Sequence, residues 1–325
     1  MKIFITGGAG YVGSKLVPKL LENNHQVTVL DLMIYGEEVL EKNLNLKSIK
    51  GDIRNTQLLE KLIPGHDAVI HLACISNDPS FELNPKLGKS INLDAFEPLV
   101  NISRKSNVAR FIYASSSSVY GIKKEKNVTE DMSLEPLTDY SKFKGDCEKI
   151  LNNYKSDDFI VTTIRPSTVC GYAKRQRLDL VVNILTNHAY HNRQIKVFGG
   201  DQLRPNVHIN DMVASYLTVL NAPIEKINGE IFNVGYRNQT VNELAEDVRT
   251  IIGADVKILK TISDDNRSYH VSNEKIKTIL GFEPKYTIQD AVKDLKLAFD
   301  KKLLPDSFED KKYFNIKTMN SVKLI

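Results

Sequence analysis

The 325-residue sequence contains no tryptophan and only three cysteines, Cys74, Cys147 and Cys170. The cysteines are odd in number, widely spaced and form no Cys-x-x-Cys pair, so neither a disulfide framework nor a metal site is predicted. We expect all three to be buried as small apolar groups. Repeats and low-complexity tracts are also absent, and the hydrophobic content is 42%. Collagen-like, mucin-like, coiled-coil and disordered chains are therefore excluded.

The sequence also lacks a charge excess and long hydrophobic runs. Lys and Arg number 44 against 40 Asp and Glu, which leaves a net charge of +4. Such a small, dispersed excess does not form the basic face that nucleic acid requires. No apolar run approaches the ~20 residues of a membrane-spanning helix, and the N-terminus leads into glycines instead of a signal-peptide cleavage site. We expect a cytoplasmic protein that binds a small molecule and neither nucleic acid nor membrane.

In the first half of the chain, short apolar β-rich runs alternate with helical stretches. This rhythm predicts an α/β fold with a doubly wound parallel sheet of the Rossmann type, covered by helices on both faces. The predicted strands are 2–6, 26–30, 47–50, 68–72, 110–114 and 159–165. The predicted helices are 12–23, 56–63, 92–106 and 140–154.

Beyond Pro166 the alternation becomes less regular. The predicted helices are 178–188, 212–220, 241–252, 272–280 and 288–301, and the predicted strands are 195–198 and 230–234. Single cores stop growing near ~250–300 residues. We therefore predict a first domain at 1–166 and a smaller α/β substrate lobe at 167–325, with segments near 205–235 returning to the first domain. The polar stretch from Leu304 is either a tail or an arm that packs on a partner subunit.

A glycine-rich turn joins the first predicted strand to the first predicted helix, with Gly7, Gly10 and Gly13 in Thr-Gly-Gly-Ala-Gly-Tyr-Val-Gly. Missing β-carbons let the backbone approach a pyrophosphate, and the following helix offers unpaired N–H groups. Such a turn alone can be a mere tight connection. The strand before it, the helix after it and an acid about twenty residues later favour dinucleotide binding.

That acid is Asp31, at the end of the second predicted strand, where a carboxylate can accept both adenosine ribose hydroxyls. It predicts NAD. Residues 32–34 supply no arginine for a 2′-phosphate, so NADP is disfavoured. Alternatively, Asp31 caps a strand end. Asp52, after the third strand, is placed either to contact the adenine or to cap the next helix.

Tyr140 and Lys144 are four residues apart, which places them on one face of a helix. A neighbouring ammonium and the cationic nicotinamide both favour the phenolate, so Tyr140 could move a hydroxyl proton. A Tyr-x-x-x-Lys pair is otherwise a solvated helix face. The four serines at 115–118 end the preceding strand and would place hydroxyls beside the nicotinamide, although a serine run is often only a turn.

With these motifs the chain resembles the extended short-chain dehydrogenase/reductase superfamily, in its NAD-dependent nucleotide-sugar epimerase/dehydratase branch. The resemblance spans nearly the whole chain. The matching segments are 6–13, Asp31, 51–53, 71–74, 119–121, 140–144, 165–166, 204–211 and 233–235.

The resemblance implies an NAD-dependent enzyme that acts on a nucleotide-diphosphate sugar, and a homodimer formed through helices 92–106 and 140–154. It places the catalytic hydroxyl at Ser116, which would hold the sugar oxygen being oxidised beside Tyr140 as base. Lys144 is expected to bind the nicotinamide ribose as well. The implied cofactor-binding residues are Gly7, Gly10, Tyr11, Val12, Gly13, Asp31, Asp52, Ile53, Leu72, Ala73, Tyr140 and Lys144.

Several positions depart from the family patterns. Ser117 and Ser118 stand where 4,6-dehydratases carry an Asp-Glu pair, so dehydration is not expected. Ser118 also replaces the cysteine of 3,5-epimerase/reductases of the fucose-synthase type. Thr168 stands where the family often has an asparagine that contacts substrate phosphate.

The substrate is expected between the two lobes. The resemblance assigns Arg204 and Arg267 to the nucleotide diphosphate, where an arginine fork is suited to phosphate. Arg175 and Arg177 lie in a predicted loop over the site, with solvated surface charge as the alternative. The expected substrate-binding residues are Ser76, Asn77, Ser116, Ser117, Thr168, Arg177, Arg204 and Arg267. The segment 76–80 could equally be only a turn.

Segment 175–183, Arg-Gln-Arg-Leu-Asp-Leu-Val-Val-Asn, is more loosely similar to a GDP-heptose 4-dehydrogenase of bacterial capsule synthesis. The sequence therefore predicts oxidation at C4 of a nucleotide-diphosphate sugar. 4-Epimerisation in glycan precursor synthesis is favoured, and net dehydrogenation or 4-keto reduction is the alternative. An alternative of another class is a non-catalytic NAD-responsive binding protein on the same fold.

Overall fold

The computed structural model describes residues 1–125, 127–262, 268, 270–322 and 324. Within these residues the strands are β1 (Lys2–Thr6), β2 (Gln26–Asp31), β3 (Leu46–Lys50), β4 (Ala68–His71), β5 (Arg110–Ala114), β6 (Ile160–Pro166), β7 (Thr168–Cys170), β8 (Gln194–Phe198), β9 (Leu203–His208), β10 (Glu230–Val234), β11 (Arg237–Thr240) and β12 (Lys257–Thr261).

The helices of the same residues are α1 (Gly13–Glu22), α2 (Thr56–Leu62), α3 (Asp78–Glu82), α4 (Pro85–Lys89), α5 (Phe96–Lys105), α6 (Asp139–Asn153), α7 (Val181–Asn192), α8 (Ile209–Asn221), α9 (Val241–Ile252), α10 (Glu274–Leu280), α11 (Ile288–Asp300) and α12 (Asn315–Ser321). None of these helices is long and apolar enough to cross a membrane.

Seven of the described strands form one parallel sheet in the order β3-β2-β1-β4-β5-β6-β10. The predicted doubly wound parallel sheet is therefore confirmed. Strand order reverses between β1 and β4. In open α/β sheets, ligands bind beyond the carboxyl ends of the strands at this reversal.

The strands alternate their side chains between two apolar cores, one on each face of the sheet. Ile3 and Ile5 of β1 point into the core that α1 and α8 cover. Phe4, between them, points into the opposite core beneath α2, α5 and α6. Burial on both faces explains why the central strands β1 and β4 are mostly apolar instead of alternating with polar residues.

The second half of the chain builds two smaller sheets and returns once to the large one. Among the described residues these sheets have the orders β11-β9-β7 and β12-β8, and α7, α9 and α11 pack together beside them. α8 packs against α1, and β10 joins the edge of the large sheet beside β6. The division into domains at residue 166 stays a prediction.

The predicted helix 92–106 is interrupted by a π-helical turn at Ser90–Asp94, in which the N–H of Ala95 donates to the carbonyl of Ser90 (3.2 Å). Pro98 has no N–H to offer the Asp94 carbonyl, so a continuous α-helical ladder cannot pass this point. The predicted helix 178–188 starts only at Val181. The N–H of Leu178 donates to the carbonyl of Tyr313 (2.9 Å), which holds the approach to α7 outside the helix.

The segment from Leu304 packs on its own chain. Leu304 and Tyr313 are buried in a small apolar cluster with α11. Met319 and Leu324 then pack against the core beneath α2, α5 and α6. The sequence allowed either a tail or an arm that packs on a partner subunit. In the structure, the described residues form an arm that returns to the first half of the same chain.

His71, the last residue of β4, is buried, and its Nδ1 lies 2.6 Å from the Thr6 hydroxyl. Burial, with a smaller contribution from the Lys144 ammonium, lowers the pKa of His71 from 6.5 to about 3. The folded chain keeps this imidazole neutral, whereas the unfolded chain protonates it below its ordinary pKa. We expect His71 to lower the free energy of unfolding as pH falls from about 6.5 towards 3, by up to ~1.4 kcal/mol per pH unit.

Urea unfolding of the wild type and His71→Gln between about pH 7 and pH 4 checks this expectation. The wild type should lose stability more steeply with falling pH, by an amount that corresponds to one bound proton. Comparing slopes removes the constant effect of the substitution itself. Parallel pH dependences would contradict a neutral His71 in the folded state.

Candidate active site

The carboxyl ends of the large sheet open into a cleft of about 560 Å³ that both halves of the chain line. Each predicted cofactor- or substrate-binding residue within the described part of the chain lies along this cleft. The Arg267 prediction falls outside the described residues. Cys147 and Cys170 are buried, but Cys74 is half-buried and lines the cleft, so its expected burial is wrong. Cys74 lies three residues after the end of β4 and directly follows the predicted cofactor residues Leu72 and Ala73.

The glycine-rich turn fits closely against neighbouring backbone. Gly7 has a φ of +75°, and a β-carbon there would lie 2.5 Å from the backbone nitrogen of Ala73. A β-carbon on Gly13 would lie 2.4 Å from the carbonyl oxygen of Gly8. α1 starts at Gly13, and no side chain caps its N-terminus. Gly7 and Gly13 therefore present no β-carbons, and the start of α1 offers N–H groups to an anion. This arrangement fits a dinucleotide.

Replacing Gly13 by alanine is expected to weaken NAD+ binding by about 10- to 100-fold, because the added carbon forces the turn and the start of α1 apart. Titration calorimetry on cofactor-free protein measures this loss. Gly145→Ala is the matched control, since its β-carbon lies in a helix and its nearest neighbour is a Leu134 side-chain carbon at 3.3 Å. Equal NAD+ affinity for Gly13→Ala and the wild type would contradict dinucleotide binding at this turn.

Asp31 ends β2 at the rim of the cleft. One carboxylate oxygen accepts the N–H of Ala9 (3.0 Å) and the other accepts the N–H of Met33 (2.8 Å). Burial raises the pKa of Asp31, and these two N–H groups act against that rise. Each oxygen keeps a second lone pair, so the fixed carboxylate can accept two ribose hydroxyls.

Two other predicted cofactor residues have partners within the protein. Asp52 forms an ion pair with Arg54 at 2.6 Å. The Tyr11 hydroxyl donates to the Gly171 carbonyl (2.5 Å), which ties the glycine-rich turn to the second half of the chain. Both residues still line the cleft, as does Ile53.

Ser116 lies just beyond β5, ahead of a 3₁₀ turn at Ser117–Tyr120. Its hydroxyl oxygen accepts the N–H of Ser118 (3.1 Å) and lies 2.8 Å from the Ser118 hydroxyl oxygen. Ser118 in turn accepts a hydrogen bond from the Ser141 hydroxyl at the start of α6 (3.0 Å). These bonds fix the serine run against the helix that carries Tyr140.

Tyr140 and Lys144 occupy the first two turns of α6, on the side that faces the cleft. The Lys144 ammonium lies 5.9 Å from the centre of the Tyr140 ring and donates to the Ala114 carbonyl at 2.6 Å. Ser116 forms a hydrogen bond with Tyr140. Hydroxyl, phenol and ammonium therefore share one wall of the cleft.

Burial raises the pKa of Tyr140 well above its ordinary value, and the charges of Cys74 and Asp78 raise it further. The Arg177 charge and the bond with Ser116 act in the opposite direction. The phenol alone is therefore protonated at neutral pH. Additional positive charge in the cleft is needed before Tyr140 can serve as a base.

A buried ion pair supports the serine run from behind. Glu148 on α6 and Arg165 on β6 are joined at 2.6 and 3.0 Å, and both are almost fully buried. Ser115 donates to the Glu148 carboxylate, and Arg165 also donates to the Tyr120 hydroxyl (2.7 Å). The pair thus fixes both ends of the segment that carries Ser116.

The carboxylates that line the cleft have partners already. Besides Asp31 and Asp52, these are Asp78, which accepts from the Thr138 hydroxyl (2.6 Å), and Asp179, which pairs with Arg177 (2.9 Å). The positions that carry an acid pair in 4,6-dehydratases hold hydroxyls here. The segment 76–80 is more than a turn, because α3 starts at Asp78 behind Asn77, which caps it.

The opposite wall comes from the second half of the chain and the C-terminal arm. Asn315 donates to the Ser76 hydroxyl (2.8 Å), and Arg177 donates to the same oxygen (3.4 Å). Thr168 on β7 and Arg204 on β9 stand on paired strands of one small sheet. Hydroxyl, amide and guanidinium groups therefore surround the space opposite Tyr140.

Sequence reasoning missed Tyr35, Asn315 and Met319, which all line the cleft. Tyr35 follows Asp31 by four residues, so its position was a usable signal. Asn315 and Met319 belong to the C-terminal arm. Nothing in their local sequence indicates that they reach the cleft.

Comparisons with known proteins agree with this geometry. The model of the NAD dependent epimerase/dehydratase family matches residues 3–235, more than half of the chain. The chain is 30% identical to the uncharacterized UDP-glucose epimerase YtcB of Bacillus subtilis, over 90% of this chain and 96% of that protein. It is 27% identical to a dTDP-glucose 4,6-dehydratase of Streptomyces niveus, over 90% of each.

A solved structure is similar over almost the same extent. The UDP-glucose 4-epimerase of Thermotoga maritima with UDP-glucose superposes with a TM-score of 0.85 at 27% identity, over 93% of this chain and 100% of that one. The resemblance to extended short-chain dehydrogenases/reductases is thus confirmed, and so is the prediction of NAD as cofactor. The chain belongs to the NAD-dependent epimerase/dehydratase family, whose members act on nucleotide sugars.

Proposed function

We propose that the protein is a nucleotide-sugar 4-epimerase, which oxidises the C4 hydroxyl of a nucleotide-diphosphate sugar and returns the hydride to the opposite face. The observation that carries the proposal is the shared wall of Ser116, Tyr140 and Lys144, with hydroxyls instead of carboxylates at Ser117 and Ser118. Synthesis of glycan or polysaccharide precursors is the role that this reaction would serve.

In this proposal Tyr140 is the general base, and its phenolic oxygen takes the proton of the C4 hydroxyl and later gives it back. Ser116 holds the sugar oxygen through its hydroxyl, which already bonds to Tyr140. Lys144, anchored on the Ala114 carbonyl, would bind the nicotinamide ribose and contribute positive charge that favours the phenolate. Bound NAD supplies the hydride acceptor and donor.

Dehydration of a 4-keto sugar across C5 and C6 would require a base that removes the proton of C5 and an acid that protonates the departing C6 hydroxyl. The pairing of Asp52, Asp78 and Asp179 leaves none of these carboxylates free for that task without breaking a bond. The hydroxyls of Ser117 and Ser118 are too weakly acidic to replace a carboxyl pair. Both points support epimerisation over dehydration.

The C-terminal arm bears on the choice between epimerisation and net dehydrogenation. An epimerase keeps its cleft closed between the two hydride transfers, whereas a dehydrogenase must open it to exchange cofactor in every turnover. Asn315 donates to Ser76 across the cleft, and Met319 and Leu324 line it from the same side. The position of the C-terminal arm over the cleft therefore supports epimerisation.

We place the sugar and its diphosphate against the wall opposite the glycine-rich turn. Charged hydrogen bonds from arginine suit a diphosphate, and small hydroxyl and amide groups suit a sugar. The proposed substrate-binding residues are Ser76, Asn77, Ser116, Ser117, Thr168, Arg177, Arg204 and Arg267. A homodimer remains a prediction from the resemblance.

Incubation of the purified protein and NAD+ with a panel of UDP-, GDP-, dTDP- and CDP-sugars tests the proposal. Product mass and the absorbance of reduced cofactor are recorded together. We expect an isomer of unchanged mass and no lasting NADH for one of the sugars.

Loss of two hydrogens with accumulating NADH would replace epimerisation by net dehydrogenation. Loss of water would show that the argument from Ser117 and Ser118 is wrong. A sugar whose 4-keto form is consumed with added NADH would indicate a reductase. The same panel run with Tyr140→Phe separates turnover at this site from a contaminating activity.

A further inference from the structure

Arg175 is a buried cation with unused donors. It is 4% exposed and lines the cleft. Its Nη2 donates to the side-chain oxygen of Asn315 (2.5 Å), but its Nε and Nη1 have no hydrogen-bond partner among the described residues. Burial lowers the pKa of Arg175 to about 10, which still leaves it charged at neutral pH. Burying such a charge is costly unless an anion and further acceptors compensate it.

The backbone of Arg175 lies beside the start of α1, in the cleft that the glycine-rich turn also lines. The backbone N–H of Arg175 donates to the hydroxyl of Ser14, the residue that follows Gly13 in α1 (3.3 Å). The Tyr35 ring covers the guanidinium, with 3.5 Å between its centre and the Arg175 Cζ. Burial raises the pKa of Asp31, and the charge of Arg175 acts against that rise. Arg175 is thus close to both the start of α1 and the ribose-binding carboxylate.

Arg177, two residues later, is placed differently. Its Nε pairs with Asp179 at 2.9 Å, and its Nη1 points to Ser76 on the sugar side of the cleft. No carboxylate forms an ion pair with Arg175 among the described residues. Of the two arginines, Arg175 is therefore the one whose charge is left for a ligand at the cofactor end.

We infer that Arg175 binds the diphosphate of the dinucleotide, and that Tyr35 and Asn315 hold its guanidinium in place. The free Nε and Nη1 donors are then satisfied by phosphate oxygens, and the buried charge gains its counter-ion. The second half of the chain and the C-terminal arm thereby contribute to cofactor binding, which the first half alone would otherwise provide. Asn315 acts here as a positioning residue.

This inference concerns the cofactor and does not depend on which sugar is the substrate. The test is therefore made without sugar, by titration calorimetry on cofactor-free protein with NAD+, NADP+, ADP, UDP, GDP and adenosine as probes. Arg175→Met should raise the Kd for NAD+ and for ADP by about 10- to 100-fold, as expected for lost charged hydrogen bonds. The Kd for adenosine, which has no phosphate, should stay within about twofold.

Three variants serve as controls. Arg249→Met removes a half-exposed arginine whose ion pair among the described residues is with Glu246 in the neighbouring helical turn, and should leave NAD+ binding unchanged. Arg175→Lys keeps the charge and should recover part of the lost affinity. Asn315→Ala leaves Arg175 in the chain but removes its anchor, and should raise the Kd for NAD+ by about 3- to 10-fold, which tests the inference even if Arg175→Met folds poorly.

Unchanged NAD+ and ADP affinities in Arg175→Met and Asn315→Ala would overturn the inference. Equal weakening of adenosine would overturn it too, because a general change of the pocket would then explain the loss. Weakening confined to NADP+ would assign the guanidinium to a 2′-phosphate instead. Weakening confined to UDP or GDP would assign it to the substrate diphosphate, and the proposed 4-epimerase would stand in each of these cases.

Discussion

Tyr140→Phe is expected to lower kcat by at least about 10³-fold while the Kd for NAD+ stays within about twofold. The substitution removes only the phenolic oxygen, which the proposed reaction needs to take and return the C4 proton. The ring remains on α6 beside Lys144, so the wall of the cleft keeps its shape. The kcat is measured with the sugar identified in the panel, and the Kd for NAD+ is measured by calorimetry.

Tyr154→Phe is the matched control for this prediction. It deletes the same oxygen at the other end of α6, where the hydroxyl donates to the exposed Glu97 (3.1 Å). Its kcat should equal that of the wild type within about twofold. A Tyr140→Phe enzyme that retained more than about a tenth of the activity would remove Tyr140 from the role of base.

The pH profile separates a base from a positioning group. Because burial raises the pKa of Tyr140, kcat should rise with pH through the neutral range, as the deprotonated fraction increases. Lys144→Met removes the nearby positive charge and should shift this rise in kcat to higher pH. A kcat that is independent of pH in both proteins would show that another step limits turnover.

The cofactor half of the site could be predicted because its signals are local. Gly7 and Gly13 are within one turn, and Asp31 ends the next strand, so a strand–turn–helix reading places all three together. The spacing of Tyr140 and Lys144 is likewise a property of one helix. The sheet follows from the same apolar runs, because strands buried on both faces leave a continuous hydrophobic pattern.

The other wall could not be predicted, because it depends on contacts between distant segments. Arg175 meets Asn315 and Tyr35 only once the small sheets and α11 have placed the C-terminal arm over the cleft. The sequence around Asn315 has no motif, and the polar composition after Leu304 left its position open. The π-helical turn before α5 is a different case, because Pro98 indicated a break in the predicted helix 92–106. The apolar periodicity of this stretch favoured a continuous helix instead.

Arg165→Met is expected to lower the free energy of unfolding by about 3–5 kcal/mol, the largest stability effect that we predict. The side chain is 3% exposed and its partner Glu148 4%, so the substitution leaves a carboxylate buried without its cation. Ser115 alone donates too little to compensate that charge. Because the pair holds the segment that carries Ser116, kcat should fall as well.

Urea unfolding at neutral pH measures this loss, with Arg249→Met as the control. That arginine pairs with Glu246 at 2.5 Å, but both side chains are about half exposed, so its removal should cost no more than about 1 kcal/mol. The double variant Arg165→Met/Glu148→Gln removes both charges and should be more stable than Arg165→Met alone, because the unpaired carboxylate is then gone. If the single and double variants were equally stable, lost packing would explain the effect, and the ion pair would not be what fixes the serine run.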